Sequence, residues 1–195
     1  MNEICFVTGN KNKLREVQNL LTNYKIVSLD DLNFSEDIAE TENTIQGNAE
    51  LKASFIYNKY NIDCFSDDTG LFIDSLGGLP GVKSARYAGE NCNSEENINL
   101  VLKNLKDKSD RNASFKTVIC LILNNTRYFF EGVINGKITE EKVGNGGFGY
   151  DPIFVPEGFD KTFSELTINE KNAISHRGIA VNKLVNFLKI GRAHV

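Results

Sequence analysis

Histidine is scarce in this chain of 195 residues: there are two, His176 and His194. A zinc site built from several histidines is therefore out of reach, and proton transfer falls to carboxylates. The four cysteines, Cys5, Cys64, Cys92 and Cys120, form no C-x-x-C pair. Cys5, Cys64 and Cys120 lie in apolar runs, where a free thiol behaves as a small hydrophobe. That usage points to a reducing, cytoplasmic setting. No apolar run approaches the roughly 20 residues of a membrane helix, so no membrane association is expected. Met1-Asn2-Glu3-Ile4 has neither a basic segment nor a long apolar one, which argues against a secretory signal. Basic charge is not in excess: 22 Lys and Arg against 26 Asp and Glu give a net charge of -4. Wrapping nucleic acid needs a basic surface, so no nucleic-acid partner is expected. A small phosphorylated ligand at a local basic cluster is still compatible with this balance. Internal repeats, low-complexity tracts and domain linkers are also missing.

What is present is an ordinary globular composition, 41% hydrophobic and 25% charged, enough for one domain or one domain with two lobes. Ile4-Cys5-Phe6-Val7 reads as a buried strand. Leu14, Val17 and Leu21 recur at helical spacing behind Asn10, a good N-cap. A short strand near Ile26-Val27 leads to an acidic loop. Ile45, Ala49, Ala53, Ile56 and Tyr60 mark a second helix, with Asn48 and Lys52 sharing another face. Asp63 to Ser66 reads as a strand ending at Asp67-Asp68-Thr69-Gly70, and Gly77 to Gly81 as a rigid turn. A helix is expected from Asn97 to Leu105, a hairpin from Phe115 to Ile138 around Asn124-Asn125-Thr126, and a last helix from Ser175 to Leu188. Strands interleaved with helices, plus a hairpin, define an α/β fold with a mixed sheet. The domain is expected over residues 1–189; residues 190–195 break the helical period and read as a non-native tail.

Four clusters carry chemistry. Thr8-Gly9-Asn10-Lys11-Asn12-Lys13 joins a strand to a helix, where free backbone N–H groups suit an anion. Lys11 and Lys13 stand in a first turn whose dipole disfavours cations, a conflict that an anionic ligand would offset. The Walker pattern G-x-x-x-x-G-K-[ST] occurs nowhere. Glu40, Glu42, Asp67 and Asp68 are hard oxygen donors of the kind Mg²⁺ takes together with substrate phosphates. One of the aspartates can instead activate water, and the Asp-Asp-Thr-Gly run can equally be a turn that caps its own backbone. Gly144 to Gly149 satisfies G-x-G-x-x-G, but a dinucleotide fingerprint needs a βαβ unit, and Tyr150-Asp151-Pro152 favours an extended or turn continuation. The loop reads instead as presenting Phe148 and Tyr150 to stack on a base, or as a turn holding two core aromatics. Lys171 and Ser175-His176-Arg177 offer donors near a helix start, with Arg177 suited to a purine edge and His176 reading, taken alone, as a surface or capping histidine. Together these describe a nucleoside triphosphate site.

At this point the chain resembles the inosine triphosphate pyrophosphatase family, enzymes that remove deaminated purine nucleotides. The resemblance runs from Ile4 to about Leu188. It is carried by Thr8 to Lys13, Asp67-Asp68-Thr69-Gly70, Leu76 to Gly81 with Ser84-Ala85-Arg86-Tyr87, Gly146 to Pro152, and Glu170 to Arg177. It implies an elongated mixed sheet splitting into two lobes around a nucleotide cleft, flanked by helices, and a homodimer. It also implies Mg²⁺-dependent hydrolysis of ITP, dITP and XTP to monophosphate and pyrophosphate, which keeps these nucleotides out of DNA and RNA. In that pattern, Thr8, Gly9, Asn10, Lys11, Asn12, Lys13 and Lys52 contact phosphates. Glu40 and Asp68 hold the metal, and Asp68 accepts the proton. Thr69 contacts substrate; Phe148, Gly149, Tyr150 and Asp151 hold base and sugar; Lys171, His176 and Arg177 read the purine. Thr69 stands where the family often has Ser, and Glu42 and Gly47 stand where it often has Gly and Glu, which makes Glu42 a competing metal ligand. The alternatives are a Maf-like pyrophosphatase acting on other modified nucleotides and a non-catalytic nucleotide-binding protein.

Overall fold

The computed structural model describes residues 2–190, the side chain of Asn2 excepted; most of the tail expected to be non-native, residues 191–195, lies outside the described residues. In chain order the elements are β1 (Asn2–Val7), α1 (Lys11–Leu20), β2 (Tyr24–Val27), α2 (Ile45–Tyr60), β3 (Cys64–Ile73) and β4 (Pro80–Gly81). There follow α3 (Ser94–Asn104), β5 (Asn112–Leu123), β6 (Thr126–Ile138), β7 (Phe154–Pro156), α4 (Ile168–Ile174) and α5 (His176–Ile190). The strands form one sheet in the order β2-β1-β3-β5-β6-β7, with β4 on β3. β1 runs parallel to both β2 and β3, while β4 and β7 are antiparallel to their partners. The mixed α/β sheet expected from the sequence is present.

The chain divides into two compact units. The first takes residues up to 68, 117–132 and from 177 on; the second takes 69–116 and 133–176. β3, β5 and β6 therefore each contribute residues to both. In the first unit the period of two along a strand sorts side chains onto opposite faces. Ile4 and Phe6 of β1 join Phe65 of β3 under Val17 of α1 and Val181 and Leu184 of α5. Cys5 and Val7 face the other way, beside Cys64 and Cys120, under Ala49, Ala53 and Ile56 of α2. Burial pushes the Cys5 and Cys120 thiols up to about 12. Three of the four thiols are thus core hydrophobes, as their apolar runs implied. The second unit packs Phe115, Phe154 and Phe163 against Ile98 and Val101 of α3.

Three elements differ from the sequence expectation. β3 does not end before Asp67-Asp68-Thr69-Gly70 but runs through it to Ile73. Leu71 and Phe72 pair with Gly81 and Pro80 of β4, and Leu71 and Ile73 are buried in the second core, so ladder and burial both carry the strand onward. α3 starts at Ser94, earlier than Asn97, because Asn93 caps it, accepting from the N–H groups of Glu95 and Glu96. A separate helix, α4, precedes α5. Thr167 and Glu170 form a capping box at its start, and Ser175 ends it rather than opening the last helix.

Candidate active site

In the first unit, α1, α2, β3 and the start of α5 bring ionised side chains into one cluster. Lys13 points from the first turn of α1 to Asp67, with Nζ 3.0 Å from Oδ1. Arg177, in the first turn of α5, donates from Nε to the other oxygen of Asp67 at 3.0 Å and from Nη1 to Glu16 at 2.5 Å. Arg177, Asp67 and Glu16 are all nearly fully buried. Burial pushes the Asp67 carboxyl up, but Lys13, Arg177 and Lys52 outweigh it and hold the group far below the carboxylate range. For Lys13 the balance reverses: burial lowers its ammonium more than Asp67 raises it. Removing one member of such a pair strands a buried charge, typically at about 3–5 kcal/mol.

Lys52, from the middle of α2, occupies a second node. Its Nζ donates to Glu40 at 2.6 Å and to the Asp67 carbonyl at 2.9 Å, and lies 3.8 Å from Asp68 Oδ1. Burial lowers the Lys52 ammonium, yet Asp68, Glu40 and Asp67 together raise it above its ordinary value. Asn48, one helical turn before Lys52 on α2, donates to Asp68 Oδ2 at 3.3 Å and accepts from the Glu42 N–H. The two carboxylates expected to hold a metal thus already share a cation, the Lys52 ammonium. Glu42 is exposed. A Cβ at position 47 would lie 2.8 Å from the Glu42 Cβ, so the missing side chain at Gly47 makes room for Glu42. Among the described residues no group of three or more His, Cys, Asp or Glu could by itself hold a metal ion. Glu40 and Asp68 do fit Mg²⁺, which commonly takes one or two carboxylates and completes its shell with substrate phosphates and water.

The turn before α1 corrects one expectation. Its N–H groups are not all free: that of Asn10 donates to Thr8 Oγ1, and those of Asn12 and Lys13 donate to Asn10 Oδ1. Asn is a favoured N-cap and satisfies its own helix; a phosphate binding there would compete with it. Gly9, Asn10, Lys11 and Asn12 are exposed. A Cβ on Gly9 would meet nothing within 4 Å, and its φ is not positive, so the protein's own packing does not require glycine there. Gly9→Ala should therefore leave stability within about 0.5 kcal/mol while raising KM for a nucleoside triphosphate if phosphates approach this backbone. Unchanged kinetics would remove the turn from the binding surface.

The second unit assembles a different set. Lys171, on α4, donates to Asp151 Oδ2 at 2.6 Å and lies 4.6 Å from the Phe148 ring centroid, a cation–π contact. Asp151 Oδ2 also accepts from the Phe148 N–H at 2.8 Å. Gly147 has a φ of 70°, and a Cβ there would overlap the Asp151 carboxylate; glycine lets the loop close over that carboxylate. His176 lies flat on Phe115, with centroids 4.6 Å apart and planes 14° apart, and tilts toward Phe163. Tyr150 is a correction. The loop does not present it: the residue is buried and its hydroxyl donates to the Ser84 carbonyl at 2.7 Å. A buried phenol needs an acceptor, and Ser84 supplies it. Thr69 follows Asp68 on β3, and Gly149 follows Phe148 with a φ of 59°.

Lys13, Lys52, Glu40 and Asp68 thus meet in the first unit and Phe148, Asp151 and Lys171 in the second; Arg177, expected to act with Lys171 and His176, joins the first cluster instead. Sequence reasoning missed Glu16 and assigned no role to Asn48. Glu16 lies three residues after Lys13 on α1, beside Val17 of the apolar stripe, and an acid at that spacing was the available signal. Asn48 lies four residues before Lys52.

The first unit of this α/β fold thus carries half-buried lysines and a buried arginine among carboxylates, and the second an aromatic ring with a lysine over its face. The chain belongs to the Ham1 family, whose sequence model matches residues 4–187. It is 52% identical over 188 residues to the dITP/XTP pyrophosphatase of Flavobacterium psychrophilum, covering 96% of this chain and 99% of that one. It is 53% identical to the enzyme of the same name from Flavobacterium johnsoniae, covering 95% and 97%. Among solved structures, a HAM1 protein from Coxiella burnetii superposes with a TM-score of 0.89 at 41% identity over 97% of this chain and 99% of that one. The Ham1 protein of Staphylococcus aureus gives 0.88 at 37% over 96% and 98%.

Proposed function

We propose that this chain hydrolyses dITP, ITP and XTP to the monophosphate and pyrophosphate, with Mg²⁺ as its cofactor. The observation that carries the reading is the Lys52 ammonium lodged between Glu40 and Asp68, a place where positive charge is already stabilised. The relatives that match nearly the whole chain carry the name dITP/XTP pyrophosphatase, which supplies the substrate class. No helix among the described residues is long and apolar enough to cross a membrane. A cytoplasmic homodimer completes the reading, by analogy with the family and from the free thiols.

In this reading Glu40 and Asp68 hold the metal, which when bound neutralises phosphoryl charge and stabilises the oxygens of the transferring group. Asp68 accepts the proton of the attacking water. Asp67 is unsuited to that task because Lys13 and Arg177 occupy both of its oxygens. Lys13 and Lys52 place positive charge against the departing pyrophosphate, and the turn from Thr8 to Asn12 lines the phosphates. The base lies on Phe148 beside Asp151, with Thr69 and Gly149 on the sugar, and Lys171 and His176 donate to the purine edge; Arg177 is held by Asp67 and Glu16 and adds positive charge to the first cluster. Tyr150 supports this loop from the core.

A panel of ITP, dITP, XTP, ATP, GTP and pyrimidine triphosphates, read separately for pyrophosphate and orthophosphate, tests the proposal. Pyrophosphate should appear from the deaminated purines with kcat/KM at least about 100-fold above ATP, a ratio worth about 2.7 kcal/mol. Orthophosphate as the product, or equal rates across the panel, would overturn it.

A further inference from the structure

Asp67 is a carboxylate for which the proposed chemistry finds no direct step, yet it is among the most buried charged groups of the first unit. Its two oxygens are divided: Oδ1 takes Lys13 from α1, and Oδ2 takes Nε of Arg177 from α5. Its backbone carbonyl takes Lys52 from α2. One residue of β3 thus touches three cations delivered by three helices. Glu16 binds the remaining side of the same guanidinium through Nη1, so Arg177 is gripped at two points and its plane is fixed. Long lysine and arginine side chains lose much rotamer freedom when ordered. A carboxylate that orders them before substrate arrives removes that cost from the reaction. Lys13 in particular is half-buried, with desolvation working against its charge and Asp67 the first group opposing that loss.

We propose that Asp67 is a positioning residue, holding Lys13 by one carboxylate oxygen and Arg177 by the other in the orientation the substrate requires. It acts through these cations and does not itself meet the reacting atoms. The inference rests on the reading of the chain as a triphosphate-cleaving enzyme, and its test separates the two.

Double-mutant cycles in the full-length chain provide that test. Asp67→Asn is expected to lower kcat for dITP about 100-fold, the loss typical of a reacting group displaced by about 1 Å, with KM changed much less. Asp67→Glu keeps the charge on a longer arm and should be milder, about tenfold, with the same coupling. It carries the test by itself if Asp67→Asn does not fold. Lys13→Ala added to either variant should cost at most about twofold more in kcat/KM, and Arg177→Ala likewise, because groups acting as a unit are not additive. Full additivity in both cycles would overturn the proposal. So would a loss accounted for entirely by the unfolded fraction in circular dichroism, since a purely structural residue leaves kcat per folded molecule intact. Calorimetric binding of inorganic tripolyphosphate repeats the Lys13 cycle without turnover: Lys13→Ala should weaken binding in the wild type but hardly in the Asp67 variants. Coupled binding without pyrophosphate release from dITP would sink the functional reading and uphold the positioning role. Turnover with additive cycles would sink the positioning role alone.

Discussion

Asp68→Asn should lower turnover of dITP by about 10²–10⁴, the usual worth of general-base assistance, and should raise the Mg²⁺ concentration needed for half-maximal rate. The substitution keeps the shape and the acceptor oxygen that can receive the Asn48 amide. It removes the charge and the basicity together. Asp68 and Asp67 are neighbours on β3 with different surroundings. Asp67 is clamped by Lys13 and Arg177, and these cations, acting against burial, hold its carboxyl in the ionised, weakly basic state. Asp68 has a neutral amide on one oxygen and a lysine 3.8 Å from the other. Rates measured over a Mg²⁺ titration decide the matter. A variant at Asp68 with near-normal turnover and unchanged metal dependence, beside an Asp67→Asn variant whose metal dependence shifts, would exchange the two assignments.

The second large effect concerns the base. His176→Phe should collapse the preference for dITP over dATP by at least about tenfold, within a ceiling of about 10⁴–10⁵ for sites that hydrogen-bond a polar group. The substitution suits the structure. His176 already lies flat on Phe115, so Phe keeps an aromatic ring in the stack while removing both ring nitrogens. Hypoxanthine and xanthine carry an acceptor oxygen at C6 where adenine carries an amino donor. A donor from His176 or Lys171 pairs with the first and is stranded against the second. Guanine shares the C6 oxygen, so its rejection falls to its 2-amino group meeting a donor or a wall. Phe148→Ala serves as the contrast. It removes the ring beneath Lys171 and should weaken every purine triphosphate similarly, by about 1–3 kcal/mol, because stacking tolerates base identity. Steady-state kcat/KM for dITP, dGTP and dATP in both variants is the measurement. Equal losses for dITP and dATP in His176→Phe would return His176 to the core as a packing residue.

The sequence alone determined the local elements of this protein. Asn10 and Thr44 cap their helices through their own side chains, and the two-residue turn at Asn124-Asn125, both with positive φ, closes the β5–β6 hairpin. These signals are local: hydrogen bonds across two or three residues and apolar spacing along one face. The sequence also supplied the residue types for phosphate, metal and purine, because their chemistry does not depend on where the chain carries them. Tertiary structure decided their partners. Whether Asp67 or Asp68 could act as a base depended on Lys13 and Arg177, 54 and 110 residues away along the chain. Whether Tyr150 faced a ligand or the core depended on an acceptor at Ser84, 66 residues away. That β3 continued past Gly70 depended on β4 pairing beside it. Burial and pairing set the charge, basicity and orientation of a side chain, and both are properties of neighbours that linear spacing does not bring together.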